Sequence, residues 1–390
     1  MIHVGVEPTS AGEPRPVFDH LIRLTDDRGL FEHTDHAEPR REHGYCVDDV
    51  ARALIVVCRE PNPDRAVRRL ERHYLSFTLN AVAADGRCYN RMDTSGHWSD
   101  EPDVGDWWGR ALWGLGVAAA TAHSPGARES ALTGFRTAAQ QRSPNVRSMA
   151  FAALGAAEVL RAHPGEPTAR SLERDCARVL MAVRDDAPHA GHAPAARPAA
   201  EVADAGAGVA PDTGGGRAPV IGTGPWRWPE ARLAYGNGTV AEALIVAGVT
   251  LDDGDALARG LGWLDFLLQV ETGDGHLSVT PVAGRGPADA GPGFDQQPIE
   301  VASLADACVS AFTATGDVHW LSGVHLAWRW FLGDNDSATP MFDPVTGGGY
   351  DGLLADGRNL NQGAESTLAM LSTAQHARRF NGVPSPPDKH

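Results

Sequence analysis

Acidic side chains recur in this sequence at the start of apolar helical segments. Asp48 and Asp49 open one such segment, Glu300 follows Pro298 at the start of another, and Glu365 opens the last one. Cleavage of a glycosidic bond needs two flanking carboxyl groups, about 5–5.5 Å apart for retention or about 6.5–9.5 Å for inversion. Asp49 and Glu300 are therefore the first candidates for a catalytic pair, followed by Asp48 and Glu365. The structural alternative for Asp48 and Asp49 is a helix N-cap and a first-turn acid.

Tryptophan and hydrogen-bonding side chains accompany these acids. Aromatic rings offer apolar faces on which sugar rings can stack, while charged and amide groups bind the surrounding hydroxyls. Trp113 lies deeper in its apolar segment, so we expect it to fill the core instead. The residues predicted to bind a carbohydrate are His33, Trp107, Trp108, Arg110, Trp226, Trp228, Glu230, Tyr235, Asp351, Asn361 and Gln362.

One histidine-rich loop contains residue types that could bind a metal. His33, Asp35, His36, His43 and Cys46 are residue types that zinc accepts as ligands. The sequence does not show that they converge, and histidine also hydrogen-bonds sugar hydroxyls. We therefore predict neither a metal nor another cofactor.

Twelve segments that have helical periodicity or helix-forming composition must position these residues. Every second segment is apolar on nearly all sides, as in VARALIVVC, which is typical of an interior helix, whereas the others are amphipathic. Six inner and six outer helices predict an all-α fold, an (α/α)6 toroid of six helical hairpins. The predicted helices span 17–25, 45–59, 64–83, 106–123, 127–141, 145–162, 168–185, 238–249, 254–270, 298–315, 319–333 and 362–379.

The connections between these helices alternate in length. Inner-to-outer links are short, whereas most outer-to-inner links are long, such as 84–105 and 271–297. In an antiparallel ring the long links all emerge where the inner helices begin, and long loops on a rigid scaffold usually carry function. We therefore expect the candidate acids and aromatic rings to meet at that end. Short β-hairpins are predicted in these loops, around 87–91, 276–279 and 349–353.

The chain is predicted to form one domain over residues 1–380. Residues 187–222 are rich in Ala, Pro and Gly and cannot bury apolar area, so they are predicted to be a disordered insertion. Residues 381–390 are predicted to be a flexible tail.

The overall charge and the cysteine pattern limit the possible partners. A formal charge of -16 disfavours binding to nucleic acid and to anionic membranes. No stretch approaches the ~20 apolar residues that span a bilayer. The N-terminus does not resemble a secretory signal, and the five cysteines are scattered. These features predict a cytoplasmic protein with reduced, mostly buried thiols.

Four stretches (29–33, 44–54, 108–113 and 361–367) resemble a bacterial group of six-hairpin, glycosidase-like proteins often associated with glycosyltransferases. The resemblance spans nearly the whole chain outside the Ala/Pro/Gly-rich segment. It implies an (α/α)6 fold and a role in carbohydrate metabolism, without fixing a reaction. The group leads us to expect an Asp–Asn pair after the tyrosine, where this chain has Gly236 and Asn237.

The leading hypothesis is a glycoside hydrolase or phosphorylase that acts on an oligosaccharide or cell-envelope glycan through paired carboxylates. A non-catalytic sugar-binding partner of a glycosyltransferase remains open. So does a sugar epimerase or isomerase, for which His33 or His43 would transfer the proton. A helical toroid of isoprenoid chemistry fits less well, because its pocket should be apolar.

Overall fold

The computed structural model describes residues 17–183 and 226–381, and twelve α-helices lie in this part of the chain. Their bounds agree with the predicted ones to within three residues. The helices are α1 (Asp19–Arg23), α2 (Val47–Arg59), α3 (Arg65–Ala81), α4 (Asp106–Thr121), α5 (Pro125–Ala138), α6 (Val146–Ala162), α7 (Pro167–Ala182), α8 (Asn237–Leu251), α9 (Gly254–Val270), α10 (Pro298–Thr315), α11 (Trp320–Phe331) and α12 (Ala364–Arg379).

The even-numbered helices form a closed inner ring. Each packs against the next in the order α2, α4, α6, α8, α10 and α12, and α12 packs back against α2. The odd-numbered helices cover this ring, with α3 against α2 and α4, α7 against α6 and α8, and α11 against α10 and α12. This arrangement confirms the predicted (α/α)6 toroid.

Small residues allow the inner helices to approach closely. Gly116 of α4 and Gly155 of α6 face one another, and a Cβ atom on either would overlap the backbone of the opposite helix. Trp113, on the same helix as Gly116, is buried as expected and its ring stacks 6.3 Å from that of Phe151. The α4–α6 contact thus requires glycine where the two helices cross, and large side chains fit only beside the crossing.

Short antiparallel strand pairs lie in the loops at the end where the inner helices begin. The pairs near 276–279 and 349–353 confirm two predicted hairpins. The third prediction, near 87–91, is also confirmed, because Val82 and Cys88 form an antiparallel bridge across a tight turn. The strand that follows pairs in addition with the residues just before α2. A further pair was not predicted, since two-residue strands carry almost no alternation of apolar and polar residues. The pairs are β1 (Thr34–Asp35) with β2 (Glu38–Pro39), β3 (Tyr45–Cys46) with β4 (Arg91–Met92), β5 (Thr272–Gly273) with β6 (His276–Leu277), and β7 (Gly352–Leu354) with β8 (Gly357–Asn359).

Further predictions concern the Ala/Pro/Gly-rich segment, the tail, the cysteines and membrane spans. The segment 187–222 and the tail beyond residue 381 lie outside the described residues. All five cysteines are buried and unpaired, as predicted. Among the described helices, none has the length and apolar character required to cross a membrane.

Candidate active site

The first turns of the inner helices surround one end of the toroid, which we call the mouth. Helix α2 places Asp48 and Asp49 there, α10 places Glu300 and α12 places Glu365. The negative charge of Glu365 acts on each of the other three acids and favours their protonated forms, although other effects are larger. The structure therefore brings the four predicted catalytic carboxyl groups into one electrostatically connected cluster.

Arg52 links two of these acids across adjacent inner helices. Its guanidinium lies 2.6 Å from a carboxylate oxygen of Asp49 and 2.8 Å from one of Glu365. Asp49 is only 3% exposed, whereas the Glu365 side chain is 22% exposed. Burial and the neighbouring acids raise the pKa of Asp49 to about 8, although Arg52 opposes this shift. Asp49 thus lies beneath the mouth surface, while Glu365 reaches it.

Asp48 is held as a carboxylate at the mouth. Burial alone would raise its pKa, but Arg110 and Arg52 lower it below the ordinary value. The Arg110 guanidinium lies 2.8 Å from Asp48 and 4.2 Å from the ring centre of Phe151, which fixes its position. The Asp48 side chain is 22% exposed. Arg110, one of the residues predicted to bind sugar hydroxyls, thus orients Asp48.

Glu300 receives its hydrogen bonds from the backbone before α8. The Gly236 N–H donates to both carboxylate oxygens, at 2.8 and 3.1 Å. Burial raises the pKa of Glu300 to about 7, against the effect of this donor. Gly236 has a φ of +64°, a left-handed conformation that glycine adopts without steric cost. The glycine that stands at the expected Asp–Asn position thus supplies a backbone donor to Glu300.

Tyr235 presents an exposed aromatic ring at the mouth. Its hydroxyl donates to Asp106 at 2.8 Å, and the Arg147 guanidinium lies 4.9 Å from its ring centre. Arg147 also forms two hydrogen bonds with Glu230, at 2.9 and 2.7 Å, and Glu230 accepts from the Trp228 indole at 3.2 Å. Glu230 therefore anchors the loop that carries Tyr235. Asp106 and Arg147 were missed in the sequence, although both occupy first turns of inner helices.

Two of the four tryptophans predicted to stack on a sugar lie in the core. Trp108 and Trp228 are buried in the core, so neither offers a ring face to a ligand, and the stacking role predicted for them is wrong. Trp107 and Trp226 are partly buried, and their indole N–H groups donate to the carbonyls of Cys88 and Glu230, each at 2.7 Å. The sequence placed these indoles at loop–helix junctions correctly but could not show that their N–H groups bind backbone carbonyls.

Two predicted amides tie the loops around α12 together. The side chain of Asn361 accepts from the His36 N–H at 2.9 Å. Gln362 is buried, and its side chain accepts from the Thr346 hydroxyl at 2.7 Å. These contacts occupy the carbonyl oxygens of both side chains, so both amides hold the loops in place.

Asp351 and His33 also lie beside the start of α12. Asp351 accepts from the Gly363 N–H at 2.7 Å, and burial raises its pKa to about 6. The residue before His33 is joined to α12, because the Ala364 N–H donates to the Glu32 carbonyl at 3.0 Å. Burial lowers the pKa of His33, whose side chain remains 38% exposed.

One group of side chains has the composition of a metal site. Glu32, Cys46 and Asp49 place their ligand atoms within 4.8 Å of one another. Only Cys46 belongs to the histidine-rich set considered from the sequence. Arg91 pairs with Glu32 and Arg52 pairs with Asp49, so positive charge is already supplied to both carboxylates.

Comparison with known proteins supports the fold. No family model and no curated protein matches the chain. Among solved structures, it is similar to a sugar epimerase from a ruminal bacterium (13% identity, 95% of this chain and 97% of that one, TM-score 0.64). It also resembles cellobiose 2-epimerase from Spirochaeta thermophila (11% identity, 92% of this chain and 93% of that one, TM-score 0.59). A third similar structure is a GH76 α-mannanase from Bacteroides thetaiotaomicron (10% identity, 93% of this chain and 92% of that one, TM-score 0.59). At these identities the similarity establishes a shared six-hairpin (α/α)6 fold.

Proposed function

We propose that this chain is a carbohydrate-active enzyme that cleaves a glycosidic bond, by water or by phosphate, in an oligosaccharide or cell-envelope glycan. The observation that carries this proposal is that two acids at the mouth favour opposite protonation states. Arg110 and Arg52 keep Asp48 ionised, whereas burial raises the pKa of Glu300 to about 7. Acids of one site whose pKa values are pushed apart are suited to acid and base roles.

Exposure changes the order of the catalytic candidates. Asp49 and Glu300, the first choices from the sequence, are 3% and 5% exposed, whereas the side chains of Asp48 and Glu365 are each 22% exposed. We assign Asp48 as the carboxylate that attacks the anomeric carbon or activates the attacking water. Glu365, held by Arg52, would bind a hydroxyl beside the reacting carbon. Tyr235 would supply the stacking ring that the buried tryptophans cannot.

Two further observations support this assignment. The neighbours in fold are named as enzymes that act on sugars, including an epimerase and a mannanase. The five buried, unpaired cysteines support the proposal that the protein works in a reducing compartment such as the cytoplasm.

The test is a panel of oligosaccharides and cell-envelope glycans, assayed for new reducing ends with and without phosphate. Asp48→Asn and Glu365→Gln are compared with Glu38→Gln, which changes an acid that is 74% exposed and pairs with Arg23. We expect Asp48→Asn to lower turnover by about 10³-fold, within the range for a positioned acid or base. We expect Glu38→Gln to leave turnover unchanged. Equal turnover in all three variants would contradict the proposal.

A sugar epimerase or isomerase is the second candidate, and His33 is the observation that favours it. Its lowered pKa keeps the imidazole neutral near pH 7, so it can accept a proton from a sugar carbon. Proton NMR of free reducing sugars in D2O would detect exchange at that carbon. Exchange that is lost in His33→Gln and kept in Asp48→Asn would favour this candidate. Binding without any conversion would favour a sugar-binding partner of a glycosyltransferase.

A further inference from the structure

Asp295 and Asp351 lie side by side at the mouth although they are distant in sequence. Gln296 and Leu353 exchange two backbone hydrogen bonds, at 3.1 and 2.9 Å, which join the loop that carries Asp295 to the loop that carries Asp351. The Asp295 carboxyl group lies against Gly352, where a Cβ atom would overlap it. Burial raises the pKa of Asp295, and the negative charge of Asp351 adds to this effect. The Asp295 carboxyl group therefore lies beside the residue that follows Asp351, within range of the Asp351 charge.

Asp295 has none of the partners that stabilise the other mouth acids. Within the described part of the chain, its Oδ1 atom is buried without a hydrogen-bond partner, and no arginine pairs with it. Asp48 and Glu365, by contrast, each form an ion pair with an arginine. A carboxylate that lacks donors and faces another negative charge favours its protonated form. Together these effects raise the pKa of Asp295 to about 7.

Asp351 is the better stabilised member of the pair. It accepts hydrogen bonds from the Gly363 N–H at 2.7 Å and from the Ser366 hydroxyl, both at the start of α12. The charge of Glu365 also acts on Asp351, which connects the pair to the acid cluster around Asp48. Between about pH 6 and pH 7 the pair holds about one proton, and the unequal donors direct that proton to Asp295.

We propose that Asp295 is the proton donor of the cleavage reaction and that Asp351 is its positioning residue. This inference rests on the proposed function. The Asp295 O–H transfers its proton to the glycosidic oxygen while the bond from that oxygen to the anomeric carbon breaks. The bonding electrons leave with the oxygen, which departs as an alcohol, and Asp295 becomes a carboxylate. Asp48 either attacks the anomeric carbon or removes a proton from the attacking water.

The decisive comparison uses two leaving groups, that of a natural glycan and that of a dinitrophenyl glycoside. The dinitrophenolate departs without a proton. Asp295→Asn is therefore expected to slow glycan cleavage by about 10²- to 10⁴-fold while slowing aryl glycoside cleavage by less than about 10-fold. The fall in kcat/KM as the pH rises through about 7 should also disappear. Equal losses on both substrates, or no loss on either, would overturn the assignment.

The role of Asp351 has a separate readout. Removing its charge in Asp351→Asn lowers the pKa of Asp295, so the alkaline limb of kcat/KM should move to lower pH while acidic turnover remains. Gly352→Ala should displace the Asp295 carboxyl and reduce glycan cleavage. Gly273→Ala, where an added Cβ meets nothing within 4 Å, serves as its control. An unmoved alkaline limb in Asp351→Asn would remove its positioning role.

A spectroscopic measurement separates this inference from the proposed function. Infrared difference spectra of the intact protein should show a protonated carboxyl group that titrates near pH 7 and is missing in Asp295→Asn. Absence of that signal overturns the assignment of Asp295. If the signal is present but the wild type cleaves no glycan of the panel, the proposed function fails while the protonation of Asp295 stands.

Discussion

Arg110→Gln tests whether buried arginines determine the charge state of the mouth. The Arg110 guanidinium lies 2.8 Å from the Asp48 carboxylate, and the two side chains are 8% and 22% exposed. Two unit charges at this distance attract by about 6 kcal/mol at an effective dielectric constant of about 20. Desolvation of both groups offsets part of that attraction. We therefore expect Arg110→Gln to lower the free energy of unfolding at pH 7 by about 3 kcal/mol, the lower end of the range for a broken buried pair.

Urea unfolding at several pH values measures this effect. Arg110 lowers the pKa of Asp48, so the pair contributes stability above the ordinary value of 3.8 and loses it as the pH falls through the lower native pKa. The difference between wild type and variant should therefore shrink near pH 3. Arg23→Gln, which breaks an exposed pair with Glu38, is the control and should cost at most about 1 kcal/mol.

The double variant Asp48→Asn with Arg110→Gln completes the cycle. If the pair interacts as the structure indicates, the double variant should lose less unfolding free energy than the sum of the losses in the two single variants. The reason is that no uncompensated charge remains in the double variant. A loss in Arg110→Gln no larger than that in Arg23→Gln, and independent of pH, would refute the reasoning.

Three further outcomes are expected. Tyr235→Ala should raise KM about 10-fold, since a stacking ring is lost, whereas Tyr235→Phe should change KM little; equal effects in steady-state assays would contradict a stacking role. Trp228→Ala should cost about 3–5 kcal/mol in urea unfolding, because the indole is buried; a cost below about 1 kcal/mol would contradict its core placement. The pKa of Glu300 is raised from 4.5 to about 7, so Glu300 should lower the wild-type free energy of unfolding by about 3 kcal/mol between pH 4 and 8. Glu300→Gln should remove that part of the fall, and an unchanged pH dependence in the variant would contradict the shift.

The helical toroid could be predicted because its signals are local. Inner helices are apolar on all sides and outer helices on one side, and this difference persists along the described chain. The alternation of short and long links then determines the end at which the inner helices begin. The strand pair between β3 and β4 escaped prediction, since its partners lie on different loops and are two residues long.

The site could be predicted only in part. Acids in the first turns of inner helices were found because helix position determines where they lie. The same signal would have identified Asp106 and Arg147 had it been applied to every inner helix. The orientations of Trp108 and Trp228 could not be predicted, because a residue at a loop–helix junction can face the core or the mouth. Asp295 was missed since its significance depends on Asp351, which the chain brings beside it only in the folded state.

The most direct test of the account is a crystal structure of the Asp48→Asn variant with a bound oligosaccharide. We predict a sugar stacked on Tyr235 at the mouth, with its glycosidic oxygen about 3 Å from the Asp295 carboxyl and position 48 facing the anomeric carbon. An oligosaccharide bound in the groove between α1 and α3, which is lined by residues such as Asp26 and Arg69, would contradict the account.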